Sequence, residues 1–291
     1  MKTLLCLLFP AFTFGQAVYK GSIVNKYTKE KVSFATVGLA IENIGTNADE
    51  DGKFVLTTEV GNLNDTLSIS CVGYETLKIA VSKLAGIIEL EERQTVLANV
   101  SITSKVKWTY TKLNDSECGN VSITTRGFQT QIAQLFTTSS DKAILTGVEV
   151  CKSNPIFENH KSIFRLRFYD MDTITKAPST ELCNEIIEVK TSSKRTNVNV
   201  EKYKISIPNK NFFVAVEWLK IQYNENVEKV TTDGKKDVSI TCRPNISCSN
   251  TLQGNNHREE REYPVWGLSY QNKWFPMVFI KDISISATIK Y

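Results

Sequence analysis

The sequence predicts an all-β protein with two sandwich domains behind an N-terminal targeting segment. From Val18 onward, short runs rich in Val, Ile, Thr and aromatic residues alternate with Gly, Asn and Asp turn signals. No long run has the apolar periodicity of an amphipathic helix. With 291 residues, 41% of them apolar, the chain is long enough for two packed cores. We therefore expect a seven-stranded sandwich followed by a larger, jelly-roll-like β-sandwich.

The first fifteen residues have the order of a secretory signal peptide. Lys2 provides a positive start, an apolar run follows over residues 4–14, and Gly15 is the small residue before a cleavage site. The run is shorter than the roughly 20 apolar residues that a membrane-spanning helix needs. A buried N-terminal strand is the alternative. We expect residues 1–15 to be removed and the protein to be exported to the periplasm or cell surface, without a transmembrane segment, soluble or peripherally attached to a membrane.

The first domain is expected over residues 16–103. Phe54 and Leu56 alternate with polar residues, as in a strand with one buried face, and Gly52 allows the positive φ of a tight turn before them. Residues 45–52 are predicted to form a turn cluster. The seven predicted strands cover residues 19–24, 32–41, 53–58, 66–72, 75–81, 86–91 and 96–103.

A series of motifs in this region resembles a known family. The motifs are Gly21-Ser-Ile-Val, Val32-Ser-Phe-Ala-Thr-Val, Gly45-Thr-Asn, Asp49-Glu-Asp-Gly-Lys-Phe-Val-Leu and Ser68-Ile-Ser-Cys-Val-Gly-Tyr-Glu-Thr. In this order they resemble the carboxypeptidase-regulatory-like domain, over about a third of the chain. The resemblance implies a transthyretin-like sandwich of seven strands, common at the N-termini of bacterial envelope proteins. It also implies an accessory role, since such a domain supplies no ligand to a peptidase metal.

A linker is predicted over residues 104–118, where the alternation is lost, and a second all-β domain over residues 119–291. The Asp233-Gly234 pair is typical of a two-residue hairpin turn. The predicted strands cover residues 120–126, 143–150, 162–169, 198–207, 211–221, 222–231, 236–242, 265–270 and 283–291. This half weakly resembles accessory β-sandwich domains of envelope proteins.

Six cysteines remain after the predicted cleavage, the seven of the chain less the one in the signal peptide. An exported chain can form disulfides, and three bridges would allow 15 connectivities. Cys242 and Cys248 flank a Pro-Asn pair and are predicted to form a local bridge across a turn. Cys71 shares the apolar face of a strand with Leu67 and Ile69, so we expect it to be a buried thiol.

The sequence contains no assembled motif for catalysis or for a cofactor. His257 and Glu260 have the spacing that begins a zinc carboxypeptidase site, but the other histidine, His160, lies upstream and none follows. The carboxylates of residues 49–51 precede a glycine, as in a calcium loop, but the later bidentate glutamate is missing, and a hairpin turn at Asp51-Gly52 explains these residues without an ion. We expect a protein that is not an enzyme and that has no cofactor and no metal.

Paired carboxylates for glycoside hydrolysis meet only in space, so the sequence leaves that class open. Glu149, Asp170 and Glu217 lie on or at the ends of predicted strands. Residues in such positions are more often exposed partners in cross-strand charge pairs.

Two groups of residues could bind a ligand. Trp266, Tyr270 and Trp274 lie close together in sequence and could stack on sugar faces, although packing in the core is the commoner role of such residues. Arg165 and Arg167 share one strand face and could meet an anionic partner, or could form a solvated surface.

The charge of the chain excludes one class of partner. A formal charge of +4, from 35 basic and 31 acidic residues, is too balanced for a nucleic-acid-binding surface. We therefore expect an exported, non-catalytic binding or assembly module of the bacterial cell envelope that acts by protein–protein contact. A surface protein that binds carbohydrate through its C-terminal aromatic residues is the alternative. The expected partner is an envelope protein or a surface glycan.

Overall fold

The computed structural model describes residues 16–59, 61–93, 107–114, 117–119, 121–125, 127–140, 142–153, 161–232, 235–250 and 264–291. Within these ranges the chain is all-β, as predicted, apart from three short 3₁₀ turns at Val81–Lys83, Glu201–Tyr203 and Gln222–Asn224. None of the helical segments described is long and apolar enough to cross a membrane. The predicted signal peptide, the predicted strand 96–103, His160 and His257 lie outside the described residues.

The first part of the chain forms a β-sandwich of two sheets. Its strands are β1 (Ala17–Asn25), β2 (Thr36–Leu39), β3 (Ile44–Asn47), β4 (Lys53–Thr58), β5 (Thr66–Ser70), β6 (Leu77–Ala80) and β7 (Ile87–Leu90). One sheet has the order β4-β1-β7 and the other the order β3-β2-β5-β6. Phe54 and Leu56 are buried between the sheets, as their alternation predicts.

Strand β3 differs from the prediction, which places a turn from residue 45. The chain turns earlier, because Asn43 takes a left-handed conformation with φ 53° and its N–H donates to Leu39 O at 3.0 Å. Asparagine tolerates this conformation better than most residues. Gly45 is therefore free to pair with Gly38 of β2.

The second part of the chain forms a larger sandwich. Its strands are β8 (Tyr110–Leu113), β9 (Ser122–Thr125), β10 (Gln129–Thr137), β11 (Ala143–Cys151), β12 (Ser162–Met171), β13 (Pro178–Glu181), β14 (Ile187–Thr191), β15 (Arg195–Asn199), β16 (Ser206–Ile207), β17 (Asn211–Trp218), β18 (Glu225–Thr232), β19 (Lys235–Asn250), β20 (Val265–Ser269), β21 (Trp274–Pro276), β22 (Ile280–Ile283) and β23 (Ile285–Lys290).

Three sheets build this second sandwich. A seven-stranded sheet has the order β13-β12-β17-β10-β20-β21, with β14 also on β12. A five-stranded sheet has the order β15-β11-β23-β8, with β16 also on β11, and a smaller sheet joins β18, β19, β22 and β9. One face of the seven-stranded sheet packs on the main core, which includes Phe164, Val216, Leu145 and Ile289. Its other face points to the first sandwich.

Strands β8, β10, β13, β14 and β21 of this sandwich were not predicted, and β22 overlaps a predicted strand only at Ile283. Strand β10 contains four Gln or Thr residues at positions 129–131 and 134, which hide its alternation, although all four are buried. Strand β8 lies inside the predicted linker 104–118, but Tyr110–Leu113 pair with β23. The linker prediction is therefore wrong for these residues, because pairing with a strand near the C-terminus has no local signal.

The disulfide prediction is also wrong. Cys118 is bonded to Cys151, while Cys242 and Cys248 are free thiols. Both free cysteines lie in the one long strand β19, where Cys242 pairs with Thr125 and Ser247, next to Cys248, pairs with Ser122. These positions are three residues apart on β9, about 10 Å, which is beyond bridging distance. Cys71 is free and buried, as predicted.

Candidate ligand-binding site

The two sandwiches pack against each other through a face of small residues. Gly38 and Gly45 lie beneath Tyr270, and a Cβ on Gly45 would come within 2.3 Å of the Tyr270 ring. Only glycine permits this approach. Beside this contact, the Lys220 backbone N–H donates to Asn47 Oδ1 at 2.7 Å, and Lys220 Nζ donates to Gly45 O at 3.0 Å.

A cavity of about 410 Å³ lies next to this contact, between the two sandwiches. This volume is within the range of about 300–1,000 Å³ that is typical of small-molecule sites. The first sandwich and the segment after it contribute Thr36, Ser68, Ser70, Tyr74, Thr76 and Arg93. The remaining wall comes from β10, β12, β13, β17 and β20–β21 of the second sandwich. A ligand in this cavity would therefore contact both sandwiches.

A network of charges forms one wall of the cavity. Arg167 Nε donates to Glu181 Oε1 at 2.5 Å, and Arg167 Nη1 donates to Glu217 Oε2 at 3.0 Å. The first sandwich joins this network, since Thr36 Oγ1 donates to Glu217 Oε1 at 3.3 Å and Arg93 Nη1 lies 3.5 Å from Glu181 Oε2. Burial disfavours the charge of Arg167, but Tyr169 and the two carboxylates raise the pKa of Arg167 well above its ordinary value.

Aromatic and amide groups line the adjoining wall. The Tyr169 hydroxyl donates to Gln131 Oε1 at 2.9 Å, which leaves the amide nitrogen of Gln131 as a donor at the cavity wall. Burial raises the pKa of Tyr169, so this hydroxyl keeps its proton at neutral pH. The half-buried Trp274 ring stands edge-on to Tyr169, with ring centroids 5.3 Å apart. The site thus places an indole ring beside hydroxyl, amide and ion-paired groups.

Comparison with known proteins identifies the first part of the chain. Residues 19–102 match the family model of the CarboxypepD_reg-like domain. This segment is therefore similar to a carboxypeptidase-regulatory-like domain. No curated protein matches the chain.

A solved structure shows a distant similarity. It contains the cysteine protease and lectin-like domains of Cwp84, a surface layer associated protein of Clostridium difficile, at 12% identity and a TM-score of 0.32. The aligned region covers 56% of the present chain and 32% of that one.

Three of the five residues predicted to bind a ligand line the cavity beside the regulatory-like domain: Arg167, Tyr270 and Trp274. Trp266 does not. It is buried on the same sheet face, in a small apolar cluster with Ala133, which it pairs with across β10 and β20.

Arg165 also lies away from the cavity wall, because the regulatory-like domain covers it. Its Nη2 donates to Ser33 O at 2.9 Å and its Nη1 to Phe34 O at 3.3 Å. Arg165 and Arg167 do share one face of β12, but this face is covered by the first sandwich and is not a solvated surface. Glu217, predicted as an exposed charge partner, is likewise buried in this interface.

Sequence reasoning missed Gln131, Tyr169 and Glu181. Tyr169 had a local signal, since it follows Arg165 and Arg167 at the alternating positions of one strand face. Glu181 had none, because it reaches Arg167 only through the pairing of β13 with β12.

Asp49 stabilises the tight turn that residues 49–52 form, but this turn joins β3 and β4, which lie in different sheets, so the hairpin interpretation is wrong. Asp49 Oδ1 accepts from the N–H groups of Asp51 and Lys53 at 2.9 and 2.8 Å, and Gly52 has φ 73°. Across the part of the chain that is described, no group of three or more His, Cys, Asp or Glu side chains is placed to hold a metal ion.

Proposed function

We propose that this chain is an exported, non-catalytic binding module of the bacterial cell envelope, and that it binds carbohydrate in the cavity between the regulatory-like domain and the second sandwich. The observation that carries the proposal is the position of Trp274 in that cavity, beside Tyr169, Gln131 and the Arg167 network. Neither sandwich alone encloses this combination of groups.

The chemistry of the wall suits a sugar. An aromatic face binds the CH surface of a pyranose ring, while hydroxyl groups need donors and acceptors around the ring edge. Trp274 offers the face, and Ser68, Ser70, Gln131 and the Arg167 network offer the hydrogen bonds. A purely apolar ligand would cover groups such as the Gln131 amide without giving them a hydrogen-bond partner, which is costly.

The arrangement of the carboxylates favours binding over hydrolysis. Glycoside hydrolysis needs one protonated carboxyl as the acid and a second carboxylate on the opposite side of the bond. Glu181 and Glu217 instead both accept hydrogen bonds from the single Arg167 guanidinium. An ion-paired carboxylate has no proton to donate, so this pair is better suited to holding hydroxyl groups.

The disulfide supports export. Disulfides persist in oxidising compartments such as the periplasm and the cell surface, and are rare in the cytosol. The Cys118–Cys151 bond joins the segment before β9 to the end of β11. It agrees with the signal-peptide order of residues 1–15, and we propose a periplasmic or surface location.

Protein–protein contact is a second candidate function, and a specific surface favours it. Val18, Val55 and Ile87 are 55%, 61% and 64% exposed on the outer face of the β4-β1-β7 sheet, away from the cavity. On the same face Lys20 lies opposite Val55 and Ser22 opposite Ile87, so the proposed contact surface mixes apolar and polar side chains. The double variant Val55→Lys/Ile87→Lys should reduce crosslinking to an envelope protein without changing ligand binding in the cavity.

A glycan array followed by calorimetry tests the carbohydrate proposal. We expect Trp274→Ala to weaken binding of the best glycan at least tenfold, which corresponds to about 1.4 kcal/mol. Phe279→Ala is the matched control, because Phe279 is a 66% exposed aromatic residue outside the cavity wall. The proposal fails if the wild-type protein binds no glycan, or if the two folded variants bind equally well.

A further inference from the structure

We propose that the cavity selects uncharged sugars and discriminates against acidic sugars such as uronates. This inference rests on the proposed carbohydrate-binding function and specifies the class of ligand. It follows from the charge balance of the wall and from the partners that each charged group already has.

The charges of the wall cancel. Two cationic residues, Arg93 and Arg167, face two anionic residues, Glu181 and Glu217. Arg167 bridges both carboxylates at 2.5 and 3.0 Å, and Arg93 lies 3.5 Å from Glu181. Each of these cations is therefore already ion-paired at the wall. An anionic ligand at Arg167 would lie at short range from both carboxylates.

A further cation, Arg165, lies behind the wall, and Glu75, 3.4 Å from Arg93 Nε, adds a further anion, so the charges around the cavity still balance. The Arg165 guanidinium points into the contact with the regulatory-like domain, where it donates to the carbonyl oxygens of Ser33 and Phe34 and lies 3.6 Å from Cys71 Sγ. Both of its Nη groups therefore already have acceptors in the first sandwich, and Arg165 is not among the residues that line the cavity, although Cys71 is.

A neutral sugar can use the network without breaking it. A carboxylate offers about four acceptor positions and a guanidinium five N–H groups. The two bonds from Arg167 use one N–H for each carboxylate, so hydroxyl groups of a ligand can donate to Glu181 or Glu217 while the ion pairs persist. A ligand carboxylate placed there would instead repel two fixed carboxylates at short range.

Matched glycans test this inference directly. The probes are soluble glucan, galactan and mannan oligosaccharides, each in its neutral form and in a form whose C6 hydroxymethyl groups are oxidised to carboxylates. We expect the wild-type protein to bind at least one neutral form, and to bind its oxidised form at least tenfold more weakly. Calorimetry gives both dissociation constants on the same protein sample.

A charge-changing variant tests the cause of the selectivity. Glu217→Gln keeps the shape of the side chain and gives the wall a charge of +1, so the preference for the neutral form should shrink at least tenfold. Glu149→Gln is the control, because Glu149 pairs with Arg195 and Lys112 outside the cavity wall and should leave the preference unchanged. Glu181→Gln provides a second charge-changing variant if Glu217→Gln does not fold.

The outcomes separate the two proposals. Equal or tighter binding of the oxidised form by the wild-type protein would overturn the selectivity and leave the carbohydrate-binding function standing. Binding of neither form in any of the three pairs would overturn the carbohydrate-binding function itself. A preference that is the same in Glu217→Gln and Glu149→Gln would refute the charge balance as its cause.

Discussion

Replacing Arg165 with methionine should weaken the contact between the regulatory-like domain and the second sandwich. Arg165 is fully buried on β12, and its guanidinium donates to the carbonyl oxygens of Ser33 and Phe34 in the first sandwich. It also lies over the Phe34 ring, with 5.6 Å between the guanidinium carbon and the ring centroid. Methionine fills similar space but makes none of these polar contacts.

The size of the destabilisation caused by Arg165→Met follows from the groups that lose a hydrogen-bond partner. A hydrogen bond from a charged donor contributes about 1.5–3 kcal/mol, and an orphaned buried carbonyl costs about 1–3 kcal/mol. Phe34 O keeps a second donor, Asn47 Nδ2 at 3.2 Å, so Ser33 O bears the larger loss. Removing a buried charge offsets part of this cost. We expect a net destabilisation of about 2–4 kcal/mol.

Differential scanning calorimetry can measure this effect. Each sandwich has its own core, so loss of the contact should separate one unfolding transition into two, with the first at least several degrees lower. Arg195→Met is the matched control, because its ion pair with Glu149 is at the surface and should contribute less than about 1 kcal/mol. Identical single transitions for the two variants would show that Arg165 does not hold the sandwiches together.

Three further predictions concern the second sandwich and the N-terminus. The double variant Cys118→Ser/Cys151→Ser should lower the free energy of unfolding by about 3–4 kcal/mol, as expected for a disulfide between residues 33 positions apart. A urea titration that finds a decrease of less than about 1 kcal/mol would contradict this prediction. Burial lowers the pKa of Lys152 to about 8. Below that pH the charged amine destabilises the folded state, and this destabilisation disappears as the pH rises toward the ordinary pKa of 10.5. Lys152→Met should therefore be more stable than wild type by up to about 3 kcal/mol at pH 7, with a smaller difference at pH 9–10, whereas a difference independent of pH would contradict the assignment. N-terminal sequencing of protein from the envelope fraction should begin near Gln16, and an intact Met1 would disprove signal-peptide cleavage.

Local patterns in the sequence were sufficient for much of the fold. The alternation in Lys53–Thr58 predicts β4 with its observed bounds, because one buried and one exposed face impose a period of two on adjacent residues. The motif series predicts the regulatory-like domain that the family model matches over residues 19–102. The apolar neighbours of Cys71 predict its burial as a free thiol.

The tertiary structure decided what depends on contacts between distant residues. Cys118 meets Cys151 because β11 and the segment before β9 come together, and the local spacing of Cys242 and Cys248 suggested the wrong pair. Strand β10 lacks the alternation of polar and apolar residues that marks a strand in sequence. The reason is that both of its faces are covered in the folded protein, one by the core and one by the contact between the sandwiches.

In the candidate site, too, some features follow from the local sequence and others only from contacts between distant residues. The sequence determined that Arg165 and Arg167 share a strand face, since residues two apart on a strand always do. Only the packing of the two sandwiches buried Arg165 in their contact and left Arg167 in a cavity with Glu181 and Glu217. The alternation along a strand determines the face on which a side chain lies. The partner of that side chain depends on which surface packs against the face.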